Sequence, residues 1–371
     1  MNEPMKEGEM PHQRWLRADP IHTASVAERG TGTFLVGTFS SDVGSRPYKL
    51  YIPPGYSPDT PASLLVALHG CTQDPDNFAV GTRFNTLADR DTFLVLYPQQ
   101  TRAHQPRKCW AWYDPANQER GSGEPAIIAG MVDDICTRYA IDTNRIFVTG
   151  MSAGAAMAVI LGACYPDYFA AIGVHSGLEF KAARDLVSAA VAQVRGGPDP
   201  DLQGRLAHLS AGSAARVLPV IVFHGSNDYR VYPVNGDQVI QQFARTNDYA
   251  DDGSANNSIS PIPDRIQTGL VPDGYSYTIS IYTFKNQVLM QMYSVEGLGH
   301  AWSGGSLTPP ATYTDPKGPD ASSIMWEFFT AHPRVIRSSP SSHLAYSGEV
   351  ARKKLPSLRT LLAHWRKKRV I

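Results

Sequence analysis

The chain is poor in cysteine. Four residues (Cys71, Cys109, Cys136, Cys164) in 371 are too few for a disulfide-stapled scaffold, and no spacing among them suits zinc. No apolar run is long enough to span a bilayer. There is no net charge, with 34 Lys and Arg against 34 Asp and Glu. The balance is uneven, because residues 351–371 hold Arg352, Lys353, Lys354, Arg359, Arg366, Lys367, Lys368 and Arg369 and no carboxylate. Residues 1–350 therefore keep 26 basic against 34 acidic side chains, a body of about −8, which argues against nucleic-acid binding by the main domain. The start, Met1-Asn2-Glu3-Pro4-Met5-Lys6-Glu7, shows no basic segment followed by an apolar one. The expectation is a cytoplasmic protein, with an extracellular one as the alternative if the start is incomplete. No internal repeat is visible.

What is present is an ordinary globular composition, 42% hydrophobic and 18% charged. Residues 1–30 carry little pattern and read as a mobile lead-in. Thr33–Phe39 and Tyr48–Ile52 read as antiparallel edge strands, and Ser63–Leu68 and Thr92–Tyr97 as buried central strands. A helix is expected around Pro125–Tyr139, and strands at Phe169–His175 and Val217–Phe223. Residues 178–216 read as a helical insertion broken at Gly196-Gly197-Pro198-Asp199-Pro200. An antiparallel pair, Tyr275–Thr283 and Val288–Val295, turns at Lys285-Asn286, and Ala321–Ala331 closes as a helix. Strands alternating with helices imply an α/β fold: a mostly parallel central sheet with helices on both faces and antiparallel N-terminal strands. Residues 31–335 fit one domain and 336–371 a tail.

The segment Arg145–Thr149, then Gly150-Met151-Ser152-Ala153-Gly154, then Ala155–Leu161 is strand, tight turn and helix with serine at the apex. Such a turn projects a hydroxyl, its glycines admit close strand–helix approach, and the helix N-terminus favours an oxyanion. Two further strand ends carry His224-Gly225-Ser226-Asn227-Asp228 and Gly297-Leu298-Gly299-His300-Ala301-Trp302. The order Ser152, Asp228, His300 makes Ser152 the candidate nucleophile, His300 its base and Asp228 the group that fixes the imidazole. The candidate oxyanion donors are the N–H of Ala153 and that of Cys71, in the loop after Ser63–Leu68. His69, His175 and His224 are read as structural. The chemistry calls for no cofactor and no metal.

The segments His69-Gly70-Cys71-Thr72-Gln73, Cys109-Trp110-Ala111-Trp112-Tyr113, Gly150–Gly154, His224–Asp228 and Gly299-His300-Ala301-Trp302-Ser303-Gly304-Gly305 together resemble the esterase family of polyhydroxybutyrate (PHB) depolymerases, over about residues 40 to 330. The resemblance implies an α/β-hydrolase fold, Ser152, Asp228 and His300 as the triad, Cys71 as an oxyanion donor, and a polyester or small ester as substrate. Feruloyl and acetylxylan esterases share the family, so a carbohydrate esterase is the alternative, and a non-catalytic granule-binding protein is the alternative from another class. The resemblance also brings the Cys71 and Cys109 segments together, as a disulfide clamping the oxyanion loop or as two free thiols. Trp302, Trp110 and Trp112 are candidate walls for the substrate chain. Against secreted depolymerases, the chain shows no Thr-rich or fibronectin-like linker and no separate binding domain, so an intracellular form acting on amorphous polymer or soluble oligomers is expected. Leu355, Leu358, Leu361, Leu362 and Trp365 among basic residues suggest an amphipathic helix for an anionic surface such as a granule, or a merely solvated tail.

Overall fold

The computed structural model describes residues 30–334. The segments read as an N-terminal lead-in and as a basic amphipathic tail lie outside these residues, save Gly30.

A ten-stranded sheet organises the chain. Its strands are β1 (Thr33–Ser41), β2 (Gly44–Ile52), β3 (Ala62–Leu68), β4 (Phe93–Pro98), β5 (Ile141–Met151), β6 (Ala171–His175), β7 (Val220–Gly225), β8 (Arg265–Leu270), β9 (Ser276–Phe284) and β10 (Gln287–Val295), in the order β1-β2-β4-β3-β5-β6-β7-β10-β9-β8. The central run from β4 to β10 is parallel. Antiparallel strands close both edges: β1 and β2 on one side, β9 and β8 on the other.

The helices are α1 (Pro75–Thr82), α2 (Phe84–Asp91), α3 (Gly123–Arg138), α4 (Ala153–Cys164), α5 (Leu186–Arg195), α6 (Pro200–Ala211), α7 (Val234–Asp252) and α8 (Ala321–Ala331). The period-2 alternation of side chains sends neighbouring residues of one strand into different cores. In β3, every residue of which is buried, Leu64, Val66 and Leu68 join the core under α3, α4 and α7, while Leu65 and Ala67 join that under α1, α2 and α8. This explains the unbroken apolar run: a strand covered on both faces has no solvent side to mark. Helix α4 is buried at all twelve positions, and its small residues let it lie directly on the sheet.

The β9–β10 hairpin turns at Lys285 and Asn286, both at positive φ (51° and 62°), as a two-residue hairpin loop matching the sheet's twist requires. The expected break in the 178–216 insertion separates α5 from α6, with Gly196 capping α5 at φ 86°.

Candidate active site

Strand β5 ends at Met151, and α4 starts at Ala153, so the reversal falls on Ser152, which takes φ 57° and ψ −120°. That conformation costs a non-glycine residue about 1–3 kcal/mol and persists only where the surroundings impose it. They do so here. The Ser152 N–H donates to the His175 carbonyl at 2.9 Å, and the Ser152 carbonyl accepts from the Ala156 N–H at 2.9 Å. The flanking glycines are needed for close approach: a Cβ on Gly154 would overlap the Leu68 carbonyl, and one on Gly150 would sit 2.7 Å from it.

Asp228 and His300 are 72 residues apart, and sheet topology joins them. Strands β7 and β10 are parallel neighbours with Gly225 opposite Val295, so the loops after both leave the sheet at one place. The loops are tied by Asn227 N–H to the Leu298 carbonyl (3.0 Å) and Ser226 N–H to the Val295 carbonyl (2.9 Å). His300 Nδ1 then lies 2.7 Å from Asp228 Oδ2. Asp228 Oδ1 accepts from the N–H groups of Arg230 and Val231, each at 2.9 Å. Burial pushes the Asp228 carboxyl up, but the His300 hydrogen bond, the neighbouring imidazoles and the Val231 N–H outweigh it and hold it below the usual carboxylate range. With Nδ1 engaged by Asp228, the imidazole has Nε2 left for proton transfer.

Ser152 and His300 line one cleft of about 410 Å³. Among the described residues Ser152 Oγ makes no hydrogen bond, so the hydroxyl is unengaged in this state, as is common for catalytic contacts that tighten with substrate.

The loop expected to supply an oxyanion donor follows β3. Cys71 lines the cleft and is joined to Cys109 by a disulfide, the first of the two alternatives raised from the sequence. The loop is further tied by Thr72 N–H to the Arg107 carbonyl (2.6 Å), Gly70 N–H to Gln73 Oε1 (2.8 Å) and Gln73 Nε2 to the Thr312 carbonyl (2.8 Å). Among the described residues neither the Cys71 nor the Ala153 backbone N–H has an acceptor. A pair of unsatisfied donors beside the serine is what a tetrahedral oxyanion requires.

The three other strand-end histidines brace loops. His69 is fully buried, with Nδ1 against the Gly70 carbonyl (2.8 Å) and Nε2 accepting from the Gln100 N–H (3.1 Å); burial brings its pKa down to about 4. His175 Nε2 accepts from the Ser303 N–H at 3.0 Å, and burial lowers its pKa to about 3. His224 Nε2 donates to the Val231 carbonyl at 2.8 Å, holding the Asp228 loop.

The expectations for Trp302 and Trp110 need correction. Trp302 is 1% exposed: it stacks on His175 (4.8 Å), meets Phe78 and Phe84 edge-on, and donates Nε1 to Ser322 Oγ at 3.1 Å. It is a core residue, buried because the chain after His300 turns inward to pair with Thr314. Trp110 is fully buried and donates Nε1 to the His69 carbonyl at 3.1 Å, bracing the start of the loop that carries Cys71. Of the three, Trp112 lines the cleft, beside Tyr113.

Sequence reasoning missed Arg107, Arg230, Tyr313 and the α5 residues Leu186 and Ala189 in the cleft wall. Arg230 was signalled by its position two residues after Asp228, and α5 by the insertion itself. Tyr313 arrives through an irregular loop that carries no pattern.

The family described as Esterase PHB depolymerase matches residues 46–261. A poly(3-hydroxyalkanoate) depolymerase C of Paucimonas lemoignei is 30% identical over 300 residues, covering 80% of this chain and 67% of that protein. Acetylxylan esterase A of Talaromyces purpureogenus is 28% identical over 312 residues, covering 79% and 76%. The solved acetyl xylan esterase from Aspergillus awamori superposes with a TM-score of 0.60 at 23% identity, over 80% of this chain and 98% of that one, a likeness of fold.

Proposed function

Starting from a chain that belongs to the esterase PHB depolymerase family, and is therefore a hydrolase of carboxylic ester bonds with the α/β-hydrolase fold, we propose that Ser152, His300 and Asp228 are its catalytic triad and that a hydroxyalkanoate ester is its substrate. The observation that carries the triad is the 2.7 Å His300–Asp228 contact opening onto the cleft that holds the strained Ser152.

In this mechanism Ser152 Oγ attacks the ester carbonyl carbon while His300 Nε2 takes its proton. The carbonyl oxygen becomes an oxyanion facing the Cys71 and Ala153 N–H groups. Collapse breaks the bond to the alcohol oxygen, which leaves with the proton from His300. Water then attacks the acyl-enzyme by the same route, releasing the acid and restoring Ser152. Asp228 holds the imidazole orientation and stabilises the imidazolium.

The 30% identical depolymerase supports the hydroxyalkanoate reading, and the 28% identical acetylxylan esterase supports a second one, carbohydrate ester hydrolysis. Relative rates on hydroxybutyrate oligomers and acetylated xylan separate the two. The Cys71–Cys109 disulfide favours maturation in an oxidising compartment over the cytoplasm.

The test of the triad is p-nitrophenyl butyrate hydrolysis by the purified protein and by Ser152→Ala. The expected loss in kcat is several orders of magnitude. A folded wild-type protein that neither turns over the ester nor labels with a serine-directed phosphonate would instead be a binding protein.

A further inference from the structure

The cleft has charge of one sign. Of its nineteen lining residues none is Asp or Glu, while two, Arg107 and Arg230, are Arg. Asp228 lies behind His300, 1% exposed. Among the described residues neither guanidinium has a carboxylate partner, although the protein's body carries more acidic than basic residues. Each arginine is fixed at its base by the machinery around Ser152. The Arg107 carbonyl accepts from Thr72 N–H in the oxyanion loop, next to the Cys71–Cys109 bridge. Arg230 gives its N–H to Asp228, and its guanidinium lies 5.7 Å over the Tyr313 ring, whose own centroid is 6.4 Å from that of His300.

We infer that Arg107 and Arg230 select esters bearing a carboxylate, and that the substrates handled best are short hydroxyalkanoate oligomers with a free acid end. The inference rests on the esterase reading above and narrows it. A neutral polyester interior gives two guanidiniums nothing to pair with, whereas an acid terminus offers the planar acceptor that a guanidinium matches with two parallel hydrogen bonds. A partly enclosed cleft without competing carboxylates also concentrates anions near the nucleophile.

The test compares kcat/KM for the 3-hydroxybutyrate dimer as the free acid and as its methyl ester. The wild type is expected to favour the acid about tenfold at low salt, with the preference shrinking at ~0.5 M salt, where exposed charges are screened. In R107Q/R230Q the acid-to-methyl-ester ratio should fall to near one, chiefly through KM for the acid, and in R107K/R230K it should partly recover. A parallel pair, acetylated glucuronate and its methyl ester, distinguishes a carbohydrate acid from a hydroxyalkanoate acid as the source of the carboxylate. The inference is overturned by a wild type that hydrolyses p-nitrophenyl butyrate but treats acid and methyl ester alike, or by a ratio the double variant does not move. A wild type inactive on every ester overturns the esterase reading itself.

Discussion

Tryptophan illustrates how a residue's neighbours decide its work. Trp112 and Trp302 stand near the same chemistry in sequence, at Cys109–Tyr113 and two residues after His300. Trp112 lines the cleft, while Trp302 packs among Phe78, Phe84 and His175 with its N–H bonded to Ser322. Replacing either by phenylalanine keeps an aromatic ring and separates the roles. Trp302→Phe forfeits a buried hydrogen bond and leaves a void, costing about 1–3 kcal/mol. It should lower Tm by several degrees with KM unchanged. Trp112→Phe reshapes the cleft wall and should shift KM severalfold with a smaller change in Tm. Thermal melts beside steady-state kinetics on one ester settle both, and a KM effect at Trp302 would return that residue to the substrate path.

At the scale of elements, the loop that carries Cys71 is built by long-range ties. The disulfide closes a loop of sequence separation 38, for which loop-closure entropy gives about 4 kcal/mol of stabilisation in the chain-entropy account. It also holds Cys71, whose N–H faces the reacting carbonyl in the proposed mechanism. Reduction, or Cys109→Ser, should therefore lower Tm and reduce kcat more than it raises KM, because the oxyanion contact forms in the transition state. A reduced protein with unchanged kcat would show that the remaining hydrogen bonds of Thr72 and Gln73 hold the loop unaided. Among the elements legible in the sequence, the plainest were those whose burial is complete or whose turn chemistry is explicit: β3 and β4 as apolar runs, the Ser152 elbow by its glycines, the β9–β10 turn by Lys285-Asn286. Helix α7 and strand β8 carry no such signal. Helix α7 spans Val234–Asp252 with a largely polar sequence whose Asn235, Gln242 and Asn247 are nonetheless buried, and β8 is an exposed edge strand without apolar alternation. The meeting of His300 with Asp228 at the cleft that Ser152 lines was legible because chain order and strand ends mark it. The cleft walls were not, because Tyr313, Arg107 and Arg230 sit in loops whose positions depend on the folded sheet.

Across the whole molecule, stability should depend on pH through a group outside the cleft that Ser152 and His300 line. Glu179 follows β6 at the base of the α5–α6 insertion and is 2% exposed, and neither carboxylate oxygen has a hydrogen-bond partner. A Cβ on Gly197 would overlap its Oε1, so the carboxyl lies against the link between α5 and α6. Burial first, and then the charge of Asp199, push its pKa up to about 9. In the unfolded chain the group reverts to the ordinary value of about 4.3. The folded state therefore keeps a proton that the unfolded state releases above about pH 4.3. This contribution to stability is fully present below that value and drains away as pH rises, until the folded group also ionises near pH 9. Glu179→Gln is neutral throughout and escapes the loss. Its Tm relative to wild type should rise steadily from about pH 5 to about pH 9 and level beyond, other groups titrating alike in both proteins. Paired melts across that range measure the difference. A Tm difference independent of pH would mean that Glu179 is already ionised in the folded protein at neutral pH, held there by water or by movement of the insertion, and that the α5–α6 link does not enclose it.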